Sequence, residues 1–168
     1  MPSLRVKKEF KSGTYFITLT VKNFYYLFDR YNRWEILSDS LIYYIRNKNI
    51  QLHSYVFMLN HIHLLVSSED ILGFIKNYKS YNSKKLLENI KMTEPNVLKL
   101  FAADNCGYRF WTKNNHPEDI YSEKFYLQKL FYIENNPVKK NYVELPEHWY
   151  WSSANENNPL STLIVNNL

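Results

Sequence analysis

An α+β domain, with one antiparallel sheet and helices packed on one face of it, is the fold this sequence predicts, and three observations carry the prediction. Strand-like runs rich in β-branched and aromatic residues alternate with segments whose apolar residues recur at helical spacing. Their order along the chain is strand, helix, two strands joined by a tight break, helix, strand. The 168 residues, 45% hydrophobic and 22% charged, suit one globular domain that can bury an ordinary core.

Each element has a local reason. Tyr15 to Val21 follows Ser12-Gly13 and is rich in β-branched and aromatic residues, which makes it the first strand. Ser38 or Asp39 can cap a helix whose apolar face carries Leu41, Ile42, Tyr44 and Ile45 and which fades at Asn47-Lys48-Asn49. Gln51 to Met58 and His61 to Ser67 read as two strands. The Leu59-Asn60 break between them suits a tight hairpin, because Asn tolerates positive φ. Ser67 to Asp70 supply an N-cap and first-turn acids for a second helix, with Ile71, Ile75 and Tyr78 on one side and Lys76, Lys79, Ser80 and Ser83 on another.

Asn89 to Asn105, interrupted by Pro95, reads as irregular or partly helical, and Tyr108 to Trp111 as a short fourth strand or an extended segment. A last helix is expected from Ser122 to Asn136, ended by Pro137, which disfavours helical geometry in the residue before it. Tyr142 to Ala154 looks like an extended wrap, and Thr162 to Val165 like a short strand in an Asn-rich end. With no repeat and no linker, residues 1–155 form one domain and 156–168 a C-terminal tail. This order is the split βαβ, or ferredoxin-like, arrangement, with one sheet face under helices and the other free for a ligand.

Composition narrows the function classes. One cysteine, Cys106, excludes an internal disulfide and fits a reducing compartment. No signal-peptide h-region and no bilayer-length apolar run are present, so a cytoplasmic protein with no membrane partner is expected. A net charge of +5 favours a polyanion, and 17% aromatic residues suit stacking on unpaired bases. An AT-rich coding sequence would enrich Lys, Asn, Ile, Tyr and Phe just as well, so composition alone leaves both readings open.

The chemistry concentrates at two places. In His61-Ile62-His63 the strand period sends both imidazoles to one face and Ile62 to the other, which makes half a metal site. Tyr132 and Asn136 lie one turn apart on the last helix, so a phenol and an amide can enter one site together. An Asn oxygen can join two imidazoles as a third ligand to a divalent ion, and a phosphodiester polarised by such an ion is open to attack by a Tyr oxygen. Each residue also has a plain structural reading: a solvated histidine pair, a boundary aromatic, a helix-terminal Asn before Pro. His116 and His148 sit beside prolines as structural or solvated residues, and His53 carries no assigned chemistry.

These residues stand in longer motifs. Tyr55 to Val66 surrounds the His-Ile-His, and Tyr132-Ile133-Glu134-Asn135-Asn136-Pro137-Val138-Lys139-Lys140 surrounds the Tyr. Phe110-Trp111, Asn115-His116-Pro117, Lys79-Ser80 with Ser83-Lys84-Lys85, and Trp151-Ser152-Ser153-Ala154 complete the set. In this order, over roughly residues 10 to 155, the sequence resembles the REP-associated tyrosine transposases, which belong to the single-tyrosine HUH transposases. Leu59 departs from the family, which usually has Pro before the Asn-His pair; the change removes no ligand.

The resemblance implies a ferredoxin-like fold of the HUH endonuclease/transposase type. It also implies cleavage of single-stranded DNA at hairpin-forming, REP-like repeats through a 5′-phosphotyrosine, with release of a free 3′-OH. By position, Tyr132 is then the nucleophile, His61, His63 and Asn136 are the metal ligands, and Mg²⁺ or Mn²⁺ is the cofactor. Lys76, Lys79, Lys84, Lys85, Arg5, Lys7, Lys8, Lys139 and Lys140 are candidates to meet the DNA backbone, or else solvated surface charges. Such an enzyme would associate with the nucleoid when bound to DNA, as a monomer or a homodimer. Two other functions fit the same residues: a repeat-DNA-binding protein without useful cleavage, and a metal-dependent phosphodiesterase that uses water.

Overall fold

The computed structural model describes residues 10, 12–104, 107–113 and 115–165. In chain order these form β1 (Gly13–Thr20), α1 (Arg33–Asn47), β2 (Gln51–Phe57), β3 (His61–Ser68), α2 (Ile71–Thr93), β4 (Ala102–Ala103), β5 (Gly107–Tyr108), β6 (Glu118–Asp119) and α3 (Glu123–Lys139). Short 3-10 segments fall at Lys22–Phe24, Pro95–Phe101, Pro146–His148 and Pro159–Leu163. Arg5, Lys7 and Lys8 lie outside the described residues.

The main sheet has the order β2-β3-β1-β6, and every pairing in it is antiparallel. This is the order expected for a ferredoxin-like α+β fold. Strand alternation divides the core. Ile17 and Leu19 of β1, Leu52, Tyr55 and Phe57 of β2, and Ile62, Leu64 and Val66 of β3 pack with Leu37 and Leu41 of α1 and with Phe74, Tyr78 and Leu86 of α2. Phe16, Val56, Met58 and Leu65 point the other way and pack with Tyr126 and Ile133 of α3. The second face, where an open surface was expected, is therefore crossed by α3, and His61 and His63 lie between that helix and the sheet.

Several boundaries differ from the sequence reading, each for a physical reason. α1 begins at Arg33, ahead of Ser38, because the Arg33 side chain is itself buried: it donates to the Leu27 carbonyl and the Asn89 amide oxygen and pairs with Glu94 at 2.8 Å. A charged residue with that many partners belongs inside, although its type suggests solvent. The aromatic run at Phe110-Trp111 reflects burial in the core: Trp111 makes a single bridge to Val21, β5 pairs with β4, and the fourth strand of the main sheet is β6.

Pro137 does not end α3, which continues to Lys139. Its missing N–H costs one hydrogen bond, but its ring is buried and the turn beyond it closes through Lys140 N–H to the Asn136 carbonyl (3.1 Å) and Tyr142 N–H to the Pro137 carbonyl (3.0 Å). Asp70 caps α2 by accepting from Gly73 N–H at 2.9 Å, and a Cβ on Gly73 would fall 2.7 Å from the Asp70 Cγ, so glycine is what allows the cap. The C-terminal wrap seals the outer edge of β2, with Phe57 N–H donating to the Trp151 carbonyl and Ser153 N–H to the Tyr55 carbonyl. Beyond residue 155 composition changes but packing does not: Leu160 is in the core, Thr162 and Leu163 belong to a 3-10 turn, and of the expected strand Ile164 keeps a single parallel bridge to Leu52.

Candidate active site

His61 and His63 sit opposite Thr20 and Thr18 of β1, on the face that α3 covers. Their rings are 4.9 Å apart between centroids. The β2-β3 turn that presents them closes with Met58 N–H donating to the His61 carbonyl at 2.8 Å. Asn60 has no positive φ; its contribution is its side chain. Leu59, in the position where Pro was expected, has its carbonyl pinned by the N–H groups of Leu27 and Phe28 at 3.0 and 3.1 Å, so the turn is held without the proline.

The Asn60 amide fixes the chemistry of His61. Its Nδ2 donates to the Phe24 carbonyl at 2.7 Å, which leaves Oδ1 as the atom 2.7 Å from His61 Nδ1. An amide oxygen only accepts, so Nδ1 carries the ring proton and Nε2 keeps a bare lone pair. His63 Nδ1 is 2.8 Å from Thr18 Oγ1, while its Nε2 is buried with no hydrogen-bond partner. Burial and Lys140 hold His61 down to about 4, opposed by the Asn136 amide beside it; burial, His61 and Lys129 hold His63 down to about 3. Both imidazoles are thus neutral at pH 7, the form that binds a metal.

α3 supplies the rest. Asn136 is buried at the end of the helix, and its Oδ1 also lacks a partner. One turn earlier Tyr132, 38% exposed, lies edge-on to His63 with centroids 5.2 Å apart and edge-on to Phe16 at 5.9 Å. The hydroxyl therefore belongs to a side chain that is anchored at its ring and open to solvent. Lys129, three residues before Tyr132 and on the same side of α3, has its ammonium 4.1 Å from the Phe16 ring centroid and 2.9 Å from Glu118 of β6.

Two buried polar atoms without hydrogen-bond partners, His63 Nε2 and Asn136 Oδ1, are costly unless a ligand satisfies them, and a cation shared between them would do so with His63 protonated at Nδ1 toward Thr18. Together with the bare Nε2 of His61 they form a neutral donor set of two nitrogens and one amide oxygen that fits a divalent cation. Among the described residues no cluster of three or more His, Cys, Asp or Glu exists, so an amide oxygen is the third donor available at this place.

The four residues expected to form the site thus come together. The basic residues divide. Lys139 shares a groove of about 240 Å³ with Tyr132 and Lys129, and Lys140 faces His61. Lys76, Lys79, Lys84 and Lys85 lie on α2, across the sheet; Lys79 donates to the Thr112 carbonyl at 3.0 Å and Lys85 pairs with Glu88. A larger cavity of about 600 Å³ opens at the far end of β1, around Gly13 and Ser68, but among the described residues no imidazole or cation lines it. Thr18, Asn60 and Lys129 were not picked out from the sequence, although helical spacing alone places Lys129 beside Tyr132.

Among the described residues no helix is long and apolar enough to cross a membrane. The fold has counterparts among known proteins. Residues 9–136 match the family of IS200-like transposases, and the chain belongs to that family. A REP-associated tyrosine transposase, solved bound to a REP hairpin, is similar in structure with a TM-score of 0.68 and 18% identity, covering 95% of this chain and 86% of its own. A presumed transposase from Deinococcus radiodurans is similar with a TM-score of 0.50 and 18% identity, covering 77% of this chain and 94% of its own. At that identity both establish the fold. No curated protein matches this sequence.

Proposed function

We propose that this transposase-family chain is a single-stranded DNA strand transferase that cuts at hairpin-forming repeats through a 5′-phosphotyrosine. The observation that carries the reading is the pair of buried, partnerless donor atoms, His63 Nε2 and Asn136 Oδ1, beside an anchored Tyr132. The solved relative that holds a REP hairpin supports DNA of that kind as the substrate.

In this reading His61, His63 and Asn136 hold Mg²⁺ or Mn²⁺. Because all three ligands are neutral, an ion held there would supply Lewis-acid polarisation of a phosphodiester. Tyr132 is the nucleophile: its oxygen forms a bond to phosphorus, the bond from phosphorus to the 3′ oxygen breaks, and the net proton transfer is from the phenol to that leaving oxygen. Edge-on contact with His63 and Phe16 restricts the ring and so the direction of attack. Lys129 and Lys140, whose charges both reach the imidazoles, and Lys139 in the groove receive the phosphates that flank the cut. Religation is the same exchange run backward with another 3′-OH. Lys76 and Lys84, exposed on α2, would meet DNA that passes behind the sheet.

The test incubates the full chain with Mn²⁺ and a labelled single-stranded hairpin. A denaturation-resistant adduct that disappears in Tyr132→Phe is expected. Cleavage without an adduct would instead support a phosphodiesterase using water, and tight binding without cleavage a repeat-binding protein.

A further inference from the structure

Phe24 is the least comfortable aromatic residue on the surface. It is 72% exposed and stands at φ 53°, directly after Asn23 at φ 61°, so two successive residues without glycine's freedom occupy the left-handed region. For a bulky side chain this conformation is strained and persists where the surroundings enforce it. Here they do. Lys22 donates to the Ala102 carbonyl at 2.8 Å, Asn23 to the Leu100 carbonyl at 3.1 Å, and the Phe24 carbonyl accepts from Asn60 at 2.7 Å. The chain turns Tyr25 inward against Phe101 and leaves the Phe24 ring in solvent.

The anchor is informative, because the amide that holds Phe24 is also the one that orients His61. The exposed ring is thus tied through a single side chain to the candidate metal site. Its neighbours suit a nucleotide. Tyr26, half exposed, lies beside Tyr142, three residues past the end of α3, and Lys140, two residues before Tyr142, sets a positive charge against His61. An aromatic surface flanked by a cation at the edge of a phosphate-binding site is what an unpaired base with its phosphate recognises.

We propose that Phe24 is a stacking platform for an unpaired base of single-stranded DNA next to the scissile phosphate, with Tyr26 and Tyr142 as its continuation. The proposal rests on the strand-transfer reading and extends it to how the strand is seated. Stacking accepts any base, so the platform grips the strand beside the cut without reading its sequence.

The test uses the full chain carrying Tyr132→Phe, so that DNA stays intact, and hairpin oligonucleotides with 2-aminopurine placed in turn at each unpaired flanking position. One position is expected to lose fluorescence on binding. Phe24→Gly removes the ring and relieves the left-handed strain, so it should leave thermal stability unchanged or raised while weakening binding about 5- to 150-fold, the equivalent of one stacked base. Phe24→Trp should restore both binding and quenching. A Phe24→Gly chain that binds and quenches like its parent, while the wild type still forms the Tyr132 adduct, overturns the platform alone. A wild type that binds no single-stranded DNA overturns the strand-transfer reading and the platform with it.

Discussion

Asn60 joins two features of this protein that would otherwise be separate, the protonation of His61 and the conformation of Phe24. Asn60→Ala deletes both bonds without opening a core cavity, since the residue is partly exposed in a turn. Outer-shell partners of ligating histidines are worth about 10- to 100-fold in metal affinity, so Mn²⁺ titration should show a loss in that range with the fold retained. The imidazoles also set a pH dependence. Their folded-state values, about 4 and about 3, lie below the ordinary 6.5, so the unfolded chain binds more protons between those limits and stability falls with the pH. Acidifying the chelated protein from about pH 7 to about pH 5 should remove on the order of 2 kcal/mol for each histidine, read by urea unfolding. A stability unchanged over that interval would mean that the rings are not held neutral.

At the scale of elements, α2 depends on a local device. Asp70 caps it only because Gly73 leaves room, so Asp70→Ala and Gly73→Ala should each cost about 1 kcal/mol and the double variant scarcely more, a non-additivity visible in denaturant midpoints. The strands that bear the histidines were legible to within a residue, because alternation and the Leu59-Asn60 break are local signals. The Tyr132-Asn136 spacing was legible for the same reason. What escaped was tertiary. A buried Arg33 looks like solvent until Glu94 and Asn89 arrive from α2 and its C-terminal edge. Pro137 looks like a stop until the carbonyls behind it find later amides. Phe110 and Trp111 look like a strand when they are core. Asn60 looked like a turn former, and its role depends on Phe24, which is distant in sequence.

For the whole molecule, the sheet separates two basic surfaces, and the net charge of +5 does not say which one meets DNA. Geometry favours the α3 side, where Lys139 and Lys140 adjoin Tyr132 and His61, over α2, where Lys79 and Lys85 already have partners. Removing Lys139 or Lys140 should therefore lower the salt dependence of single-strand binding by about 0.7 per phosphate contact, whereas Lys85→Ala should leave the slope unchanged. The central claim is that the two histidines and Asn136 prepare a phosphodiester for one particular phenol among fifteen tyrosines. Its most direct test is to form the Mn²⁺-dependent adduct on hairpin DNA, digest the DNA and the protein, and locate the remaining phosphonucleotide by mass spectrometry. It is expected on the peptide carrying Tyr132; a phosphonucleotide on any other residue would rule out Tyr132 as the nucleophile.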